Sequence, residues 1–303
     1  MERNRRSTST STLLPAGRVL DNPNEPIFDQ GLAFDLTTLM DRRQVIKLIG
    51  SAGVAAGVLT IFGCTPGVLL GSASTAASTP TGPTATTGSA ASCDPIPEET
   101  AGPFPGDGSN GPDVLAQSGV VRNDIRSSFG SASGVAAGIP LTINLTIQDD
   151  ANGCAPLAGA AVYVWHCDRD GAYSLYSQGV TNENYLRGVQ AADTNGLVTF
   201  TSIFPACYSG RWPHIHFEVY PSLAKATSQS NKIATSQIAL PKDICDTVYA
   251  TDGYSQSVTN LAQVSLASDN VFGDDGGVHE LGTISGSVAA GLTVALQVPV
   301  KTA

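Results

Sequence analysis

An all-β fold, an antiparallel sandwich or barrel, is what most of this 303-residue sequence predicts. Three observations carry that expectation. Short runs alternate apolar and polar residues, the period-2 pattern of strands with one face buried. Clusters of Gly, Pro, Asn and Asp separate those runs and supply turns. No long helical period appears after residue 100. Leu141-Thr-Ile-Asn-Leu-Thr-Ile147 and Leu292-Thr-Val-Ala-Leu-Gln-Val298 alternate without a break. Residues 161–167, 197–203, 214–220 and 233–240 read as further strands. Asp149-Asp-Ala-Asn-Gly153 and Asp193-Thr-Asn-Gly196 are turns. Regularly spaced short strands joined by such turns argue two packed sheets or a closed one. No internal repeat is visible.

The N-terminal third is organised differently. Asp41-Arg-Arg-Gln-Val-Ile-Lys47 precedes residues 48–63, which are uncharged and mostly apolar. That is the pattern of a twin-arginine export signal, and it is too short and too rich in Gly and Ala for a membrane span. Met40 stands directly before it, so residues 1–39 read as a start-site extension or a disordered tail, and 40–64 as the signal. Cys64 ends Leu59-Thr-Ile-Phe-Gly-Cys64, which resembles a lipoprotein cleavage box. Cleavage near Ala76 without lipid competes with it. Residues 65–92 form a linker, of which 71–92 are only Gly, Ser, Ala, Thr and Pro. Such a composition has no apolar surface with which to fold. Residues 93–303 are then the folded domain, exported and either released or held at the cell surface by lipid on Cys64.

The first 64 residues carry seven basic and six acidic side chains, and the remainder nine basic and twenty acidic. An acidic body argues against nucleic acid and anionic membrane as partners. Six cysteines in an exported chain point to disulfides. With Cys64 set aside for lipid, Cys207–Cys245 is the favoured pairing and Cys93–Cys154 a second.

The chemistry is concentrated in Pro205-Ala-Cys-Tyr-Ser-Gly-Arg-Trp-Pro-His-Ile-His-Phe217. Two of the chain's four histidines stand one residue apart there. On a strand His214 and His216 share a face, while Ile215, Phe217 and Val219 make the apolar one. Paired imidazoles suit a metal ion. Tyr208 lies just upstream, and Tyr173 lies in Val164-Trp-His-Cys-Asp-Arg-Asp-Gly-Ala-Tyr173. A phenol, with a reference pKa of about 10, is a poor ligand for most divalent ions. A hard trivalent cation can displace its proton. Two tyrosines and two histidines therefore suit ferric iron better than zinc, which favours Cys, His and carboxylate.

The order Trp-His-x-Asp-x-x-Gly-x-Tyr, followed by Tyr-x-x-Arg-x-x-His-Ile-His, resembles the intradiol ring-cleavage dioxygenases, the family of catechol and protocatechuate dioxygenases. Glu98-Glu-Thr-Ala-Gly-Pro-Phe104 resembles the family's Glu-Thr-x-Gly-Pro-Tyr segment, with Phe104 in place of a tyrosine that is not a ligand. Val121-Arg-Asn-Asp-Ile125 resembles its Arg-x-Asp-Ile element. The similarity spans roughly 93–300. It implies an immunoglobulin-like or transthyretin-like sandwich with a non-haem ferric ion, Fe(III), at one edge. It further implies Tyr173, Tyr208, His214 and His216 as ligands, with Tyr208 the displaceable one. Arg211 matches the arginine that faces the substrate ring, and Gln237 falls where the family places a glutamine behind the ligands.

On that resemblance the substrate is a catechol, opened by O2 between its two hydroxyls to a muconate-type diacid. Tyr208 acts as a base and Arg211 stabilises charge building on the ring. The residues leave the particular catechol and the oligomeric state open. A non-catalytic, transthyretin-like binding module and an enzyme using another metal, such as copper, are the competing readings. Arg211 stands at an offset of three from His214, which reverses the face on a strand; a bend at Gly210 and Pro213 would let it reach the site from a loop. His166 and Trp165 read as structural, and Arg187 as a surface or paired residue.

Overall fold

A computed structural model of the chain describes residues 94–302. The export signal, Cys64, the 65–92 linker and Cys93 lie outside the described residues. Nine strands are arranged in two sheets: β1 (Pro140–Asp149), β2 (Ala155–Pro156), β3 (Ala161–Trp165), β4 (Arg187–Ala191), β5 (Leu197–Ile203), β6 (His214–Tyr220), β7 (Ala234–Ala239), β8 (Thr283–Ser287) and β9 (Gly291–Val300). One sheet runs β2-β1-β9-β8, with β5 also paired to β1, and the other runs β4-β3-β6-β7. Two short helices, α1 (Lys242–Tyr249) and α2 (Ser255–Leu261), follow β7. Among the described residues no helix is long and apolar enough to cross a membrane.

The sandwich forms because the alternating runs have something to cover. Leu141, Ile143, Leu145 and Ile147 of β1 and Leu292, Val294 and Val298 of β9 turn inward and are buried. They meet Val162 and Val164 of β3 and Ile215, Phe217 and Val219 of β6 in one apolar cluster. Each such aliphatic side chain, fully buried, contributes about 1.5–3 kcal/mol.

The expected strands form at or within two residues of their anticipated bounds. One pairing departs from a purely antiparallel sandwich. β1 and β9 run parallel, from Leu141 opposite Leu292 to Asp149 opposite Val300. No hairpin joins them, and only a hairpin forces neighbours to run antiparallel. β9 takes its antiparallel partner from β8 instead.

The outer face of the β4-β3-β6-β7 sheet is also covered, which is why every residue of β6 is buried. Its lid is the segment 100–106 and the loops around 173 and 208. Tyr163, Trp165, Tyr173, Tyr208 and Phe104 form a second buried cluster there.

The expected Cys207–Cys245 bridge is not formed. Cys167, Cys207 and Cys245 are free and buried. Each thiol has its own carbonyl instead: Cys207 Sγ lies 3.4 Å from Arg211 O, and Cys245 Sγ 3.9 Å from Leu240 O. Burial pushes the Cys207 thiol up to about 12, so it is not a reactive thiolate. Cys154 is disulfide-bonded; Cys93, expected as its partner, lies outside the described residues.

Candidate metal centre

Strand register builds the floor of the site. Arg187 of β4 is opposite Trp165 of β3, Trp165 is opposite His216 of β6, and His216 is opposite Gln237 of β7. Directly opposed residues share a sheet face, so these four side chains form one row across the covered face. His214, two positions from His216, stands on the same face. The Trp165 ring stacks on His216 at 4.8 Å with 4° between planes, and Tyr163 stacks on Trp165 at 5.1 Å. These contacts fix the His216 ring. Gly102 passes so close above it that a Cβ would lie 3.3 Å from Cε1, and its φ of +66° favours glycine independently.

Two loops bring the phenols. The first leaves β3 through Asp168, whose Oδ1 accepts the backbone N–H of Asp170 at 3.0 Å and of Ala172 at 2.9 Å. Its Oδ2 accepts the Tyr185 hydroxyl at 2.9 Å. Asp followed by Gly171 at φ +85° is the chemistry of a tight turn, and it delivers Tyr173 inward. The second loop leaves β5 and carries Tyr208. The Ser257 hydroxyl of α2 accepts the Cys207 N–H at 3.0 Å, and Asn260 donates to Cys207 O at 2.8 Å. The loops are tied together by Ala206 N–H donating to Asp168 O at 3.1 Å.

Four donor atoms then converge. Tyr173 Oη lies 3.4 Å, Tyr208 Oη 3.3 Å and His216 Nε2 3.1 Å from His214 Nε2. His214 Nδ1 lies 2.5 Å from Trp212 O, so that nitrogen carries the proton and Nε2 presents its lone pair. One lone pair cannot serve three neighbours, whereas one cation can take all four donors. Atoms bound roughly tetrahedrally at about 2.0–2.1 Å stand about 3.3 Å apart. The donor set thus fits a small, hard cation. Among the described residues no group of three or more His, Cys, Asp or Glu side chains is placed to hold a metal ion.

The electrostatics agree. Burial pushes the Tyr173 phenol well above its ordinary value, and neighbouring Tyr208 adds to this. Burial holds His214 and His216 far below theirs, helped by Arg211 at both. The protein alone therefore keeps Tyr173 protonated and the imidazoles neutral, and only a bound cation would make that phenol a phenolate.

Arg211 does reach the site from a bend, with Gly210 at φ +81°. The guanidinium is buried between Asp269, whose Oδ2 accepts Nε–H at 3.0 Å, and Gln237, whose Oε1 accepts from Nη2 at 2.7 Å. Gln237 in turn donates to Thr100 O at 2.9 Å. All six expected site residues are thus gathered in one place. His166 is satisfied structurally, between Cys167 O and Ser202 Oγ at 2.7 Å each. Phe104 packs its ring 5.0 Å from that of Tyr173. Arg187 is neither on the surface nor paired with an acid; it is buried among carbonyls and hydroxyls.

Sequence reasoning missed Asp168 and Asp269. Asp168 stands inside the Trp-His-x-Asp motif, so a signal existed. Asp269 is 58 residues from Arg211 and no local pattern marks it.

Residues 110–250 match the family described as Dioxygenase. The chain is 37% identical over 59 residues to the chlorocatechol 1,2-dioxygenase of Rhodococcus opacus. That stretch is 20% of this chain and 23% of the relative, so the match spans about a quarter of that protein's length. In three dimensions the chain is similar to the intradiol ring-cleavage dioxygenase from Tetranychus urticae, with a TM-score of 0.55 and 24% identity. That likeness covers 69% of this chain and 95% of the other.

Proposed function

We propose, from the match of residues 110–250 to the family described as Dioxygenase, that this protein is an intradiol ring-cleavage dioxygenase that opens catechols between their two hydroxyls. Both atoms of O2 enter the product, a muconate-type diacid. The ring carbon–carbon bond between the hydroxyls breaks, each of those carbons becomes a carboxyl carbon, and every hydrogen of the catechol is retained. The convergence of Tyr173, Tyr208 and His216 on His214 carries this reading. A ferric ion bound by the four side chains supplies the Lewis-acid and redox chemistry that makes a catecholate reactive toward O2.

The chain's own residues divide the remaining work. Tyr208 is 8% exposed, against 1% for Tyr173 and 2% for each histidine, so it is the donor a substrate reaches first. Held as a phenolate by the cation, its Oη would take a catechol hydroxyl proton, and Tyr208 would then move aside as the neutral phenol. Tyr173, His214 and His216 stay in place, held by the Asp168 turn, the Trp212 carbonyl and the Trp165 stack. Arg211 is clamped by Asp269 and Gln237, so its positive charge cannot swing away. A fixed charge needs no reorganisation when negative charge develops on the ring. The buried surroundings strengthen that interaction.

The test is metal analysis of purified protein, followed by oxygen uptake on a panel of catechols with product identification. One ferric ion per chain and a muconate support the reading. A colourless protein with stoichiometric zinc, or an extradiol semialdehyde, overturns it. We further propose that the domain is exported through the Arg42-Arg43 signal, with Cys64 as a lipid anchor. Lys at both arginines should then abolish export, and Cys64→Ser should move the protein from membrane to medium. Unchanged fractionation would refute each.

A further inference from the structure

One cation stands buried at the β4 end of the row that includes His216 and Gln237. Arg187 is 1% exposed, and none of the ion pairs among the described residues includes it. Burying a charge without an acid is costly unless hydrogen bonds replace its water. Here five do. Nε donates to Ser174 Oγ at 3.0 Å, and Nη2 to Ser174 O at 2.9 Å and Phe104 O at 3.0 Å. Nη1 donates to Pro105 O at 2.6 Å and Tyr163 Oη at 3.1 Å.

The acceptors belong to segments that touch the site. Ser174 directly follows Tyr173. Phe104 packs its ring on Tyr173. Tyr163 stacks on Trp165, and Trp165 on His216. The chain is wrapped tightly around the guanidinium: a Cβ on Gly106 would fall 2.7 Å from Nη1, at a φ of +67°. Only a planar fork of five N–H donors can hold these groups at once, and a lysine offers three donors from one point.

We propose that Arg187 is a positioning residue for the metal centre: it sets the aim of the Tyr173 phenol by pinning the next residue, Ser174, through its hydroxyl and carbonyl, to the 104–105 segment. The claim rests on reading Tyr173 as a metal donor, and it makes Arg187 act through Tyr173, without touching substrate.

The test compares Arg187→Lys and Arg187→Gln with wild type, well below their melting temperatures. In metal-free protein carrying 3-fluorotyrosine, the Tyr173 fluorine resonance, assigned with Tyr173→Phe, should shift or broaden in both variants. In protein loaded with Fe(III), release to a chelator should be at least about tenfold faster, and the phenolate absorption band should move. Ser174→Ala removes one acceptor with little change in bulk, so it should show a smaller change of the same kind. It decides the matter if the Arg187 variants do not fold. Variants that melt earlier but keep the wild-type fluorine resonance, release rate and band would reduce Arg187 to a merely structural residue. Wild-type protein that takes up no ferric ion would instead defeat the reading of the donors, and the fluorine measurement would still judge Arg187.

Discussion

At the scale of the residue, the site is four donors and the groups that aim them, and each makes a separable prediction. His214→Ala removes the atom on which the others converge, so iron content should fall to near zero in metal analysis. Tyr208→Phe leaves three protein donors; it should retain iron but deprotonate catechol slowly, with an altered visible spectrum. Arg211→Leu should keep iron and colour yet lose about 10²–10³ in turnover, the usual cost of one missing electrostatic donor. Wild-type oxygen uptake by that variant would remove Arg211 from the mechanism. His214 and His216 were legible together because their spacing is local: His-x-His on a strand shares a face whatever surrounds it. Tyr173, 41 residues before His214, is not marked by spacing. Asp269 was not legible. A carboxylate 58 residues away in a loop of 3-10 turns leaves no periodic trace, yet it fixes Arg211 and the Trp212 N–H at 2.6 Å.

Elements place those residues. β6 was readable because polar residues alternate along it with Ile215, Phe217 and Val219, which are β-branched or aromatic. β4, Arg187-Gly-Val-Gln-Ala191, was not, because its five residues, one of them glycine, are of mixed polarity and give no clear period. Losing β4 from view also hid the cross-sheet row, and Arg187 was consequently misjudged as a surface or paired residue. The parallel pairing of β1 with β9 was equally hidden, since periodicity reports a strand but not its neighbour. The Asp168 turn makes a prediction at this scale. Asp168→Ala would leave two backbone N–H groups and the Tyr185 hydroxyl without their acceptor. Buried unsatisfied groups cost about 1–3 kcal/mol each, so thermal unfolding should reveal a clear loss of stability. Tyr173 should also lose its aim, seen as weaker iron retention. A variant of wild-type stability and iron affinity would mean that the turn forms without its aspartate.

The whole molecule carries an unusual set of carboxyl groups. Burial pushes Glu99 up to about 8, with Asp274 and Glu280 adding to it. Burial likewise raises Glu218 to about 7 against the pull of Lys232, and Glu280 to about 7 with Asp275 contributing. The folded state thus keeps protons that the unfolded chain has already released above its ordinary carboxyl value. Stability is therefore lost as pH rises through these folded values. His166 opposes this only at lower pH, because burial holds it near 4 and its contribution is lost as pH falls below the ordinary histidine value. Between about pH 6.5 and 8 the carboxyl groups act alone among these. The melting temperature of metal-free protein should fall across that window, and Glu99→Gln should flatten the fall. A melting temperature that rises there would contradict these assignments.

The central claim is that two phenols and two imidazoles form one ferric site. The measurement that tests it most directly is iron content together with the visible spectrum of the intact protein, alongside Tyr173→Phe and His216→Ala. The account predicts one ferric ion per chain and a phenolate charge-transfer band in the wild type. It predicts that the band moves or weakens in Tyr173→Phe and that iron is lost in His216→Ala. A wild-type protein that stays colourless and iron-free after reconstitution with Fe(III), or one whose iron and colour survive both substitutions unchanged, would contradict it.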